Sequence, residues 1–471
     1  MVGRVEEQRL LRRVLESKES QFLAVYGRRR VGKTYLVRNA FGNKFAFYHT
    51  GIFDGSYREQ LCEFRESLEE CGLTDCPELK NWRDAFKQLR RLLEGKPEGK
   101  KVVFIDELPW METRNSHFIQ QFDKFWNKWA SARTDIVLVV CGSAASWMIR
   151  NVINDYGGLH NRITDSIALR PFTLGECEEY ARELGLSMSR HEIAECYMVF
   201  GGIPYYWSYL VKGTSLAQNI DRLLFAENGK LRGEFKRLFK SLFRDERMHR
   251  EVIEALGTKK AGMTRDEILS SVTFPDGGKF SECLESLEEC GFIRSFASIG
   301  KVKKNKLFQL IDNFTLFHLK FLADHTIADD GFWTTTVTSP GRAAWKGLAF
   351  ERLCLMHIKQ IKEALGISGV MTNVGSWVHS QTPSHPQGAQ IDLLIERADA
   401  VVNLCEIKYA YGPYSLSAEE CRKLLKRRDV FQSVTGTTHS IHITMITPDG
   451  VEESSERHFV QSEVTLNDLF K

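Results

Sequence analysis

A run of eight residues near the amino terminus has the composition of a phosphate-binding loop. The run matches the pattern G-x-x-x-x-G-K-[ST] in full and lies between a predicted strand and a predicted helix. Glycines let such a loop wrap phosphate oxygens with backbone N–H groups, and the N-terminal end of the following helix adds positive potential. We therefore expect a nucleotide site formed by Gly27, Arg28, Arg29, Arg30, Val31, Gly32, Lys33 and Thr34.

Two side chains of this loop have predicted chemical roles. Lys33 should reach the β- and γ-phosphates of ATP, and Thr34 should ligate Mg²⁺. The three arginines at 28–30 should point away from the phosphates, because the backbone forms the cradle. Solvent or another domain is the default surrounding for these arginines, and a contact with a partner is the alternative.

The apolar run VVFIDE places a second pair of polar residues at the end of a strand. Asp106 is placed to hold Mg²⁺ through water, and Glu107 to orient the attacking water. An Asp-Glu pair after a strand is also a common way to begin a loop. The phosphate-binding loop upstream favours the catalytic interpretation.

Two further residues follow the next apolar strand, DIVLVVCGS. Ser143 lies at the carboxyl edge of the sheet, where ligands bind in such folds, and could sense the γ-phosphate. A helix N-cap for ASWMIR is an equally good role for Ser143. Arg162, in YGGLHNRI, could stabilise transition-state charge in cis or from a neighbouring chain. A surface role is the alternative for Arg162.

A second constellation lies near the carboxyl terminus, in the strand-like run VNLCEIKYA. Glu406 and Lys408 are two residues apart and therefore share one face of a strand. Asp392 lies on the preceding predicted strand, and Glu351 on a helix in LAFERL. Asp392 and Glu406 offer hard oxygen ligands for Mg²⁺, and Glu351 could complete or orient the metal shell.

This E…D…E-x-K arrangement suits the cutting of a phosphodiester bond. A metal ion neutralises developing charge and lowers the pKa of an attacking water, and Lys408 can position that water. The alternative is a structural salt bridge between Glu406 and Lys408. A nuclease fold that keeps these residues without activity is also open.

Apolar strands that alternate with helical patterns from residue 22 to about 150 predict an α/β doubly wound domain. A helical stretch follows to about 245. Three helical patterns and two strand-like runs at 247–310 then predict a winged helix. The segment 322–345 reads as a linker or irregular cover, and residues 343–447 read as helix, two strands, helix and strand.

The predicted winged helix gives two opposing indications for DNA contact. Its recognition helix carries Glu282, Glu285, Glu288 and Glu289, which disfavour a phosphate-lined groove. Its wing carries Lys301, Lys303, Lys304 and Lys306, which suit contact with the phosphate backbone. DNA contact through the wing and a purely structural role remain alternatives.

Composition narrows the class of protein. The 471 residues are 43% hydrophobic and 27% charged, with a net charge of +3, so any nucleic-acid footprint must be local. The eleven cysteines form no C-x-x-C pair or Cys/His cluster, which favours free thiols in a reducing cytosol. Without a signal-peptide core or an apolar run of roughly 20 residues, we expect a cytoplasmic protein with no membrane partner.

In combination, the motifs YGRRRVGKT, FIDELPW, CGSAASWM and GGIPYYW resemble those of archaeal-type P-loop ATPases of the AAA+ class. Relatives of this class include the signal-transduction ATPases with numerous domains. The resemblance covers residues 2 to about 245, and GGIPYY carries no arginine where typical AAA+ proteins have a second sensor arginine. Many members carry a C-terminal domain similar to the PD-(D/E)XK nucleases, which residues 340–450 match.

The resemblance implies a Walker A site at Lys33 and Thr34, with Asp106 and Glu107 serving hydrolysis. The expected domains are a P-loop ATPase core at 1–172, a helical lid at 173–245, a winged helix at 246–312 and a nuclease-like α/β domain at 313–471. We expect an ATPase coupled to a DNA-binding, Mg²⁺-dependent nuclease-like domain. The alternative is an ATP-dependent regulatory switch whose C-terminal domain binds nucleic acid or protein without cleaving. A homo-oligomer or a protein partner is left open.

Overall fold

The structure is a computed structural model that describes residues 1–154, 162–243, 245–297, 306–325, 328–379 and 388–471. The chain divides into two compact units. The first unit comprises Met1–Pro171 and Leu238–Arg244, and the second comprises Phe172–Arg237 and Asp245–Lys471. No helix within the described ranges is both long enough and apolar enough to cross a membrane.

The first unit is built around a parallel sheet. Its strands are β1 (Gln21–Tyr26), β2 (Phe47–Thr50), β3 (Lys101–Asp106), β4 (Ile136–Gly142) and β5 (Asp165–Ala168). They lie in the order β2-β3-β4-β1-β5, and every pairing is parallel. All residues of β3 and β4 are buried, as expected for central strands covered on both faces. The predicted α/β class is confirmed for this unit.

The helices of the first unit's described residues include those before and between its strands. They are α1 (Val5–Glu16), α2 (Lys33–Ala40), α3 (Tyr57–Glu70), α4 (Trp82–Glu94), α5 (Phe118–Lys128) and α6 (Ala145–Met148). The helical rhythm predicted over 56–95 is two helices, because Asn81 accepts a hydrogen bond from the backbone N–H of Asp84 and so starts α4. Phe22 of β1 packs against Phe122 and Trp126 of α5 in the apolar core.

The second unit begins with helices and continues into a small antiparallel sheet. Its first helices are α7 (Leu174–Glu183), α8 (Arg190–Phe200), α9 (Pro204–Trp207), α10 (Leu216–Ile220) and α11 (Glu234–Leu242), the last of which crosses the unit boundary. Next come α12 (Glu246–Gly257), β6 (Met263–Thr264), α13 (Arg265–Leu269), α14 (Gly278–Glu289), β7 (Ile293–Ala297) and β8 (Lys306–Leu310). The strands lie in the order β6-β8-β7, with antiparallel pairings.

A third group of elements completes the second unit. Its helices are α15 (Asn313–Phe317), α16 (Phe332–Thr335), α17 (Pro340–Met356), α18 (Ile358–Ala364) and α19 (Ala418–Thr435). Its strands are β9 (Thr372–His379), β10 (Ala389–Arg397), β11 (Val401–Ile407), β12 (Ser440–Thr447) and β13 (Ser462–Thr465). The sheet order is β13-β12-β11-β10-β9, with antiparallel pairs among β9, β10 and β11 and parallel pairs beyond.

Short turns of 3₁₀- or π-helix within the described residues supplement these elements. They are Leu108–Trp110, Ala130–Ala132, Ile149–Ile153, Asp221–Phe225, His318–Leu322, Arg457–Phe459 and Leu466–Phe470.

The structure corrects two predictions for residues 322–365. The helix predicted over 343–365 breaks at His357, which is buried. Nε2 of His357 lies 3.0 Å from the backbone N–H of Leu174, and Nδ1 lies 2.8 Å from the carbonyl oxygen of Leu353. The predicted linker at 322–345 contains α16, whose Trp333 is buried.

Strand β10 carries an irregularity that is important for its side chains. Its register with β9 shifts between Ile391 and Leu394, so β10 has one extra residue there. Residues three apart on a regular strand face opposite sides. Ile391 and Leu394 nevertheless pack in the same apolar cluster with Phe431 of α19.

Candidate functional site

The phosphate-binding loop connects β1 to α2, as the motif predicts. Gly32 precedes Lys33, the first residue of α2, and has a φ of 95°, which favours glycine. Gly27 has a φ of 141°, and a Cβ atom there would lie 2.2 Å from the carbonyl oxygen of Leu169. Both glycines of the motif are therefore required by the backbone.

The ammonium of Lys33 is held by three oxygens. It donates to the carbonyl oxygens of Gly27 at 3.0 Å and Arg28 at 3.1 Å, and to the hydroxyl of Ser143 at 3.0 Å. Lys33 is buried. Its positive charge is thereby fixed inside the loop, next to the N-terminal end of α2.

Thr34 and Asp106 form the second contact across the site. The Thr34 hydroxyl donates to Oδ2 of Asp106 at 2.6 Å, which links α2 to the end of β3. Asp106 is buried, and this burial raises the pKa of its carboxyl although the Thr34 hydrogen bond lowers it. A hydroxyl and a carboxylate at this distance are hard oxygen donors of the type that Mg²⁺ prefers.

Glu107 has an unusual backbone conformation for a residue other than glycine. Its φ is 47°, in the left-handed region, where strain is typical of functional sites. Its carboxylate accepts hydrogen bonds from the backbone N–H of Ser143 at 3.0 Å and the Ser143 hydroxyl at 2.5 Å. The N-cap of α6 is Ala144, so the N-cap alternative for Ser143 is wrong.

A buried glutamine that the sequence did not point to holds two loops beside Glu107. The Gln60 side chain accepts from the backbone N–H of Ile52 at 3.1 Å and donates to the carbonyl oxygens of Ile52 at 2.7 Å and Trp110 at 3.1 Å. Gly51 lies so close that a Cβ atom there would be 2.7 Å from the carbonyl oxygen of Glu107. Helical spacing in α3 predicts burial at Gln60 but gives no indication of these partners.

The three loop arginines have different surroundings. Arg28 is buried, which corrects the expectation of solvent for this residue. The Arg29 guanidinium carbon lies 6.0 Å from the ring centroid of Trp110, a cation–π distance. Arg30 has a φ of 73°. Arg162 is exposed in a turn that directly follows the segment 155–161, which is outside the described residues.

The second constellation is split into two groups of ion pairs. Glu351 is buried and meets Arg352 at 2.5 Å and the ammonium of Lys260 at 2.6 Å. The same ammonium lies 3.5 Å from Oδ2 of Asp392. Burial raises the pKa of Glu351, although Arg352 opposes this shift. Lys260 is a residue of this cluster that sequence reasoning missed.

Glu406 belongs to the other group. It meets Lys408 at 3.0 Å and Arg427 of α19 at 2.6 Å. Strands β10 and β11 are antiparallel and pair through Leu393 and Cys405. Asp392 precedes Leu393 by one residue and Glu406 follows Cys405 by one, so the two carboxylates lie at adjacent positions on neighbouring strands. Within the described ranges, no group of three or more His, Cys, Asp or Glu side chains is placed to hold a metal ion.

The region predicted as a winged helix is only partly described. Its lysines at 301, 303 and 304 lie outside the described residues. Lys306 begins β8 and lies 3.6 Å from Glu288 of α14. On α14, Glu282, Glu285 and Glu289 are exposed.

The comparison with protein families gives a match in the N-terminal part of the chain. Residues 1–210 match a family model described as an ATPase domain predominantly from Archaea. An uncharacterized protein of Methanocaldococcus jannaschii is 23% identical over 404 residues, which cover 83% of each chain.

Two solved structures are also similar. A Walker-type ATPase of Pyrococcus abyssi has a TM-score of 0.49 at 18% identity, with 68% of this chain and 96% of that chain covered. The ORC2 protein of Aeropyrum pernix, solved as ADPNP-ADP complexes, has a TM-score of 0.39 at 16% identity, with 68% of this chain and 93% of that chain covered. The phosphate-binding loop and the family match together show that residues 1–210 contain a P-loop ATPase domain.

Proposed function

We propose that the chain couples ATP hydrolysis in its first unit to a DNA-directed, Mg²⁺-dependent nuclease-like domain at its carboxyl terminus. The proposal rests on one observation above all. The antiparallel pairing of β10 and β11 brings Asp392 and Glu406 to adjacent positions on neighbouring strands, with Lys408 beside Glu406.

In the ATPase site, each residue has a role that follows from its contacts. Lys33 would exchange its carbonyl partners for the β- and γ-phosphates of ATP, and Ser143 would sense the γ-phosphate through Lys33. Glu107 would orient the attacking water. Arg162 would stabilise transition-state charge in cis or from a neighbour in a homo-oligomer.

The residues of the ATPase site fit Mg²⁺. The Thr34 hydroxyl and the Asp106 carboxylate already converge at 2.6 Å, and burial of Asp106 favours a neighbouring positive charge. When bound with ATP, Mg²⁺ would neutralise phosphate charge. We assign Thr34 and Asp106 to hold it.

In the carboxyl-terminal cluster, the Lys260 ammonium marks the position that a metal cation would take. The Lys260 ammonium is shared by Glu351 and Asp392, so this position accepts a positive charge. A divalent ion bound there would activate a water for attack on a phosphodiester. Glu406 would be the next ligand after release from Arg427, and Lys408 would position the water.

The elements between the ATPase and the carboxyl-terminal sheet support a winged helix. They follow the order α12, β6, α13, α14, β7 and β8. Contact with DNA through this region would place the duplex near the carboxylate cluster, because the Lys260 side chain reaches both Glu351 and Asp392. DNA is the partner that we propose for the second unit.

A second function is favoured by one specific observation. Glu351, Asp392 and Glu406 each have a lysine or arginine partner. Such self-neutralised carboxylates suit a regulatory switch, in which ATP changes the binding of nucleic acid or protein and no bond is cut.

A nicking assay separates the two functions. Supercoiled plasmid and single-stranded DNA are incubated with the full chain and Mg²⁺ or Mn²⁺, with and without ATP, and DNA binding is followed by fluorescence anisotropy. The nuclease predicts nicking that Asp392→Asn and Lys408→Met abolish. Lys423→Met is the matched control, because Lys423 is an exposed α19 lysine paired with Glu419. Binding without nicking would leave the switch.

A further inference from the structure

One lysine from outside the carboxyl-terminal sheet reaches into its carboxylate cluster. Lys260 lies in the turn between α12 and β6. Its ammonium is 2.6 Å from Oε2 of Glu351 and 3.5 Å from Oδ2 of Asp392. The α12–β6 turn thus supplies the positive charge that the two carboxylates share.

The backbone of Lys260 is fixed from two sides. Its carbonyl oxygen accepts hydrogen bonds from Nη2 of Arg352 at 2.6 Å and from Nε2 of Gln309 at 2.9 Å. Gln309 in turn accepts from Nε of Arg294 at 2.7 Å. The turn is therefore docked by α17 and by the small antiparallel sheet together, which holds the ammonium in register with the carboxylates.

The same arrangement also ties the small sheet to Asp392. Arg294 of β7 donates to the Ser376 hydroxyl at 2.9 Å, and that hydroxyl donates to the carbonyl oxygen of Asp392 at 2.6 Å. A movement of β7 would thus change the hydrogen bonds that position both Asp392 and Lys260. The position of β7 is therefore coupled to the neutralisation of Glu351 and Asp392 by Lys260.

Lys260 is not needed to neutralise the buried carboxylate. Glu351 has a second cationic partner in Arg352 at 2.5 Å, and Asp392 also accepts a hydrogen bond from Gln390 at 2.7 Å. The Lys260 side chain is 49% exposed, so it can leave toward solvent without crossing the core. These features distinguish Lys260 from a buried structural ion pair.

We propose that Lys260 occupies the cation position between Glu351 and Asp392 and excludes a divalent ion as long as its ammonium stays there. This inference rests on the proposed function, because it assumes that the cluster serves a metal-dependent domain. An ammonium and a divalent ion cannot share one position between the same two carboxylates, since their charges repel.

Calorimetric titration of Mn²⁺ into the full chain tests this exclusion. Lys260→Met should raise the affinity of the Asp392-dependent site by about tenfold or more, because the competing charge is gone. The part of the Mn²⁺ binding signal that disappears in the double variant Lys260→Met, Asp392→Asn is assigned to this site. Lys259→Met is the matched control, because the neighbouring Lys259 pairs with Glu267 at 2.5 Å and should leave Mn²⁺ affinity unchanged.

The outcomes separate this inference from the function on which it rests. Equal, Asp392-dependent Mn²⁺ affinity in the parent and in Lys260→Met would overturn the exclusion and leave a metal-binding domain. No Asp392-dependent binding in either protein would overturn both. Lys260→Gln keeps hydrogen bonding without charge and should repeat the result of Lys260→Met, and Lys260→Arg should bind as the parent does. Thermal unfolding of each variant checks that it is folded.

Discussion

The ammonium of Lys33 lies 3.0 Å from the hydroxyl of Ser143, and that hydroxyl donates to the carboxylate of Glu107. The three side chains form a continuous chain from the phosphate-binding loop to the end of β3. A change in the partners of Lys33 would therefore reach Glu107 through a single serine. This relationship guides the first two predictions.

Lys33→Ala removes the buried positive charge of the loop. We expect ATP turnover to fall on the order of 100-fold or more, because charge stabilisation of this kind in a water-poor site is a large term. Steady-state phosphate release measures the loss. Lys44→Ala, at an exposed lysine before β2, is the control and should keep the parent rate. Hydrolysis at the parent rate in Lys33→Ala would show that the site is misassigned.

Glu107→Gln keeps the size of the side chain but removes its charge. If Glu107 orients water, the variant should bind ATP as the parent does and hydrolyse it about 100-fold more slowly. Binding of a fluorescent ATP analogue and phosphate release measure the two steps separately. Glu98→Gln, at an exposed glutamate, is the control. Equal loss of binding and turnover would instead indicate a structural or metal-holding role.

Gln60→Leu tests the buried glutamine that connects the loops after β2 and β3. The substitution leaves the polar groups of Ile52 and the carbonyl of Trp110 without this partner, so the free energy of unfolding should fall by about 1–3 kcal/mol or more. Chemical denaturation measures the change. Gln120→Leu on the exposed face of α5 should change stability little. An unchanged midpoint in Gln60→Leu would contradict this role.

His357 predicts how stability depends on pH. Burial lowers the pKa of His357 to about 4, whereas a histidine in the unfolded chain has a pKa of about 6.5. The unfolded chain therefore takes up the proton first on acidification. The stability that the neutral imidazole contributes is present above about pH 6.5 and is lost as pH falls toward 4, by up to about 3 kcal/mol.

Denaturant midpoints between pH 7 and 4 measure this loss. His357→Asn should be less stable at pH 7 and should show a flatter dependence on pH. His117→Asn is the control, since His117 is exposed and its left-handed backbone suits asparagine. The same slope in His357→Asn and the parent would mean that His357 does not titrate in this way.

The sequence predicts those parts of the molecule that depend on local pattern. The phosphate-binding loop, the buried strands β3 and β4 and the placement of Asp106 at a strand end follow from periodicity and motif spacing. Strand β5 is not predicted, because it has four residues of which only Ile167 is buried, and so short a segment shows no apolar pattern. The catalytic roles of the site residues stay predictions.

Contacts between distant segments could not be read from the pattern. Gln60 bonds to Trp110 across 50 positions, and Lys260 meets Asp392 across 132. Neither residue belongs to a motif, and each gains its importance only from the fold. The pairing of Glu406 with Lys408 could be predicted from the two-residue spacing on a strand, but the added partner Arg427 on α19 could not.

The extra residue of β10 between Ile391 and Leu394 determines which face of the sheet each side chain of this strand occupies. Deleting a single residue there would restore strict alternation and exchange the faces of every side chain on one side of the cut. Either the apolar cluster with Phe431 or the position of Asp392 would then be lost. Insertions and deletions in this strand should therefore be tolerated in pairs and rejected singly, which makes the spacing from Asp392 to Leu394 as restrictive as the identity of either residue.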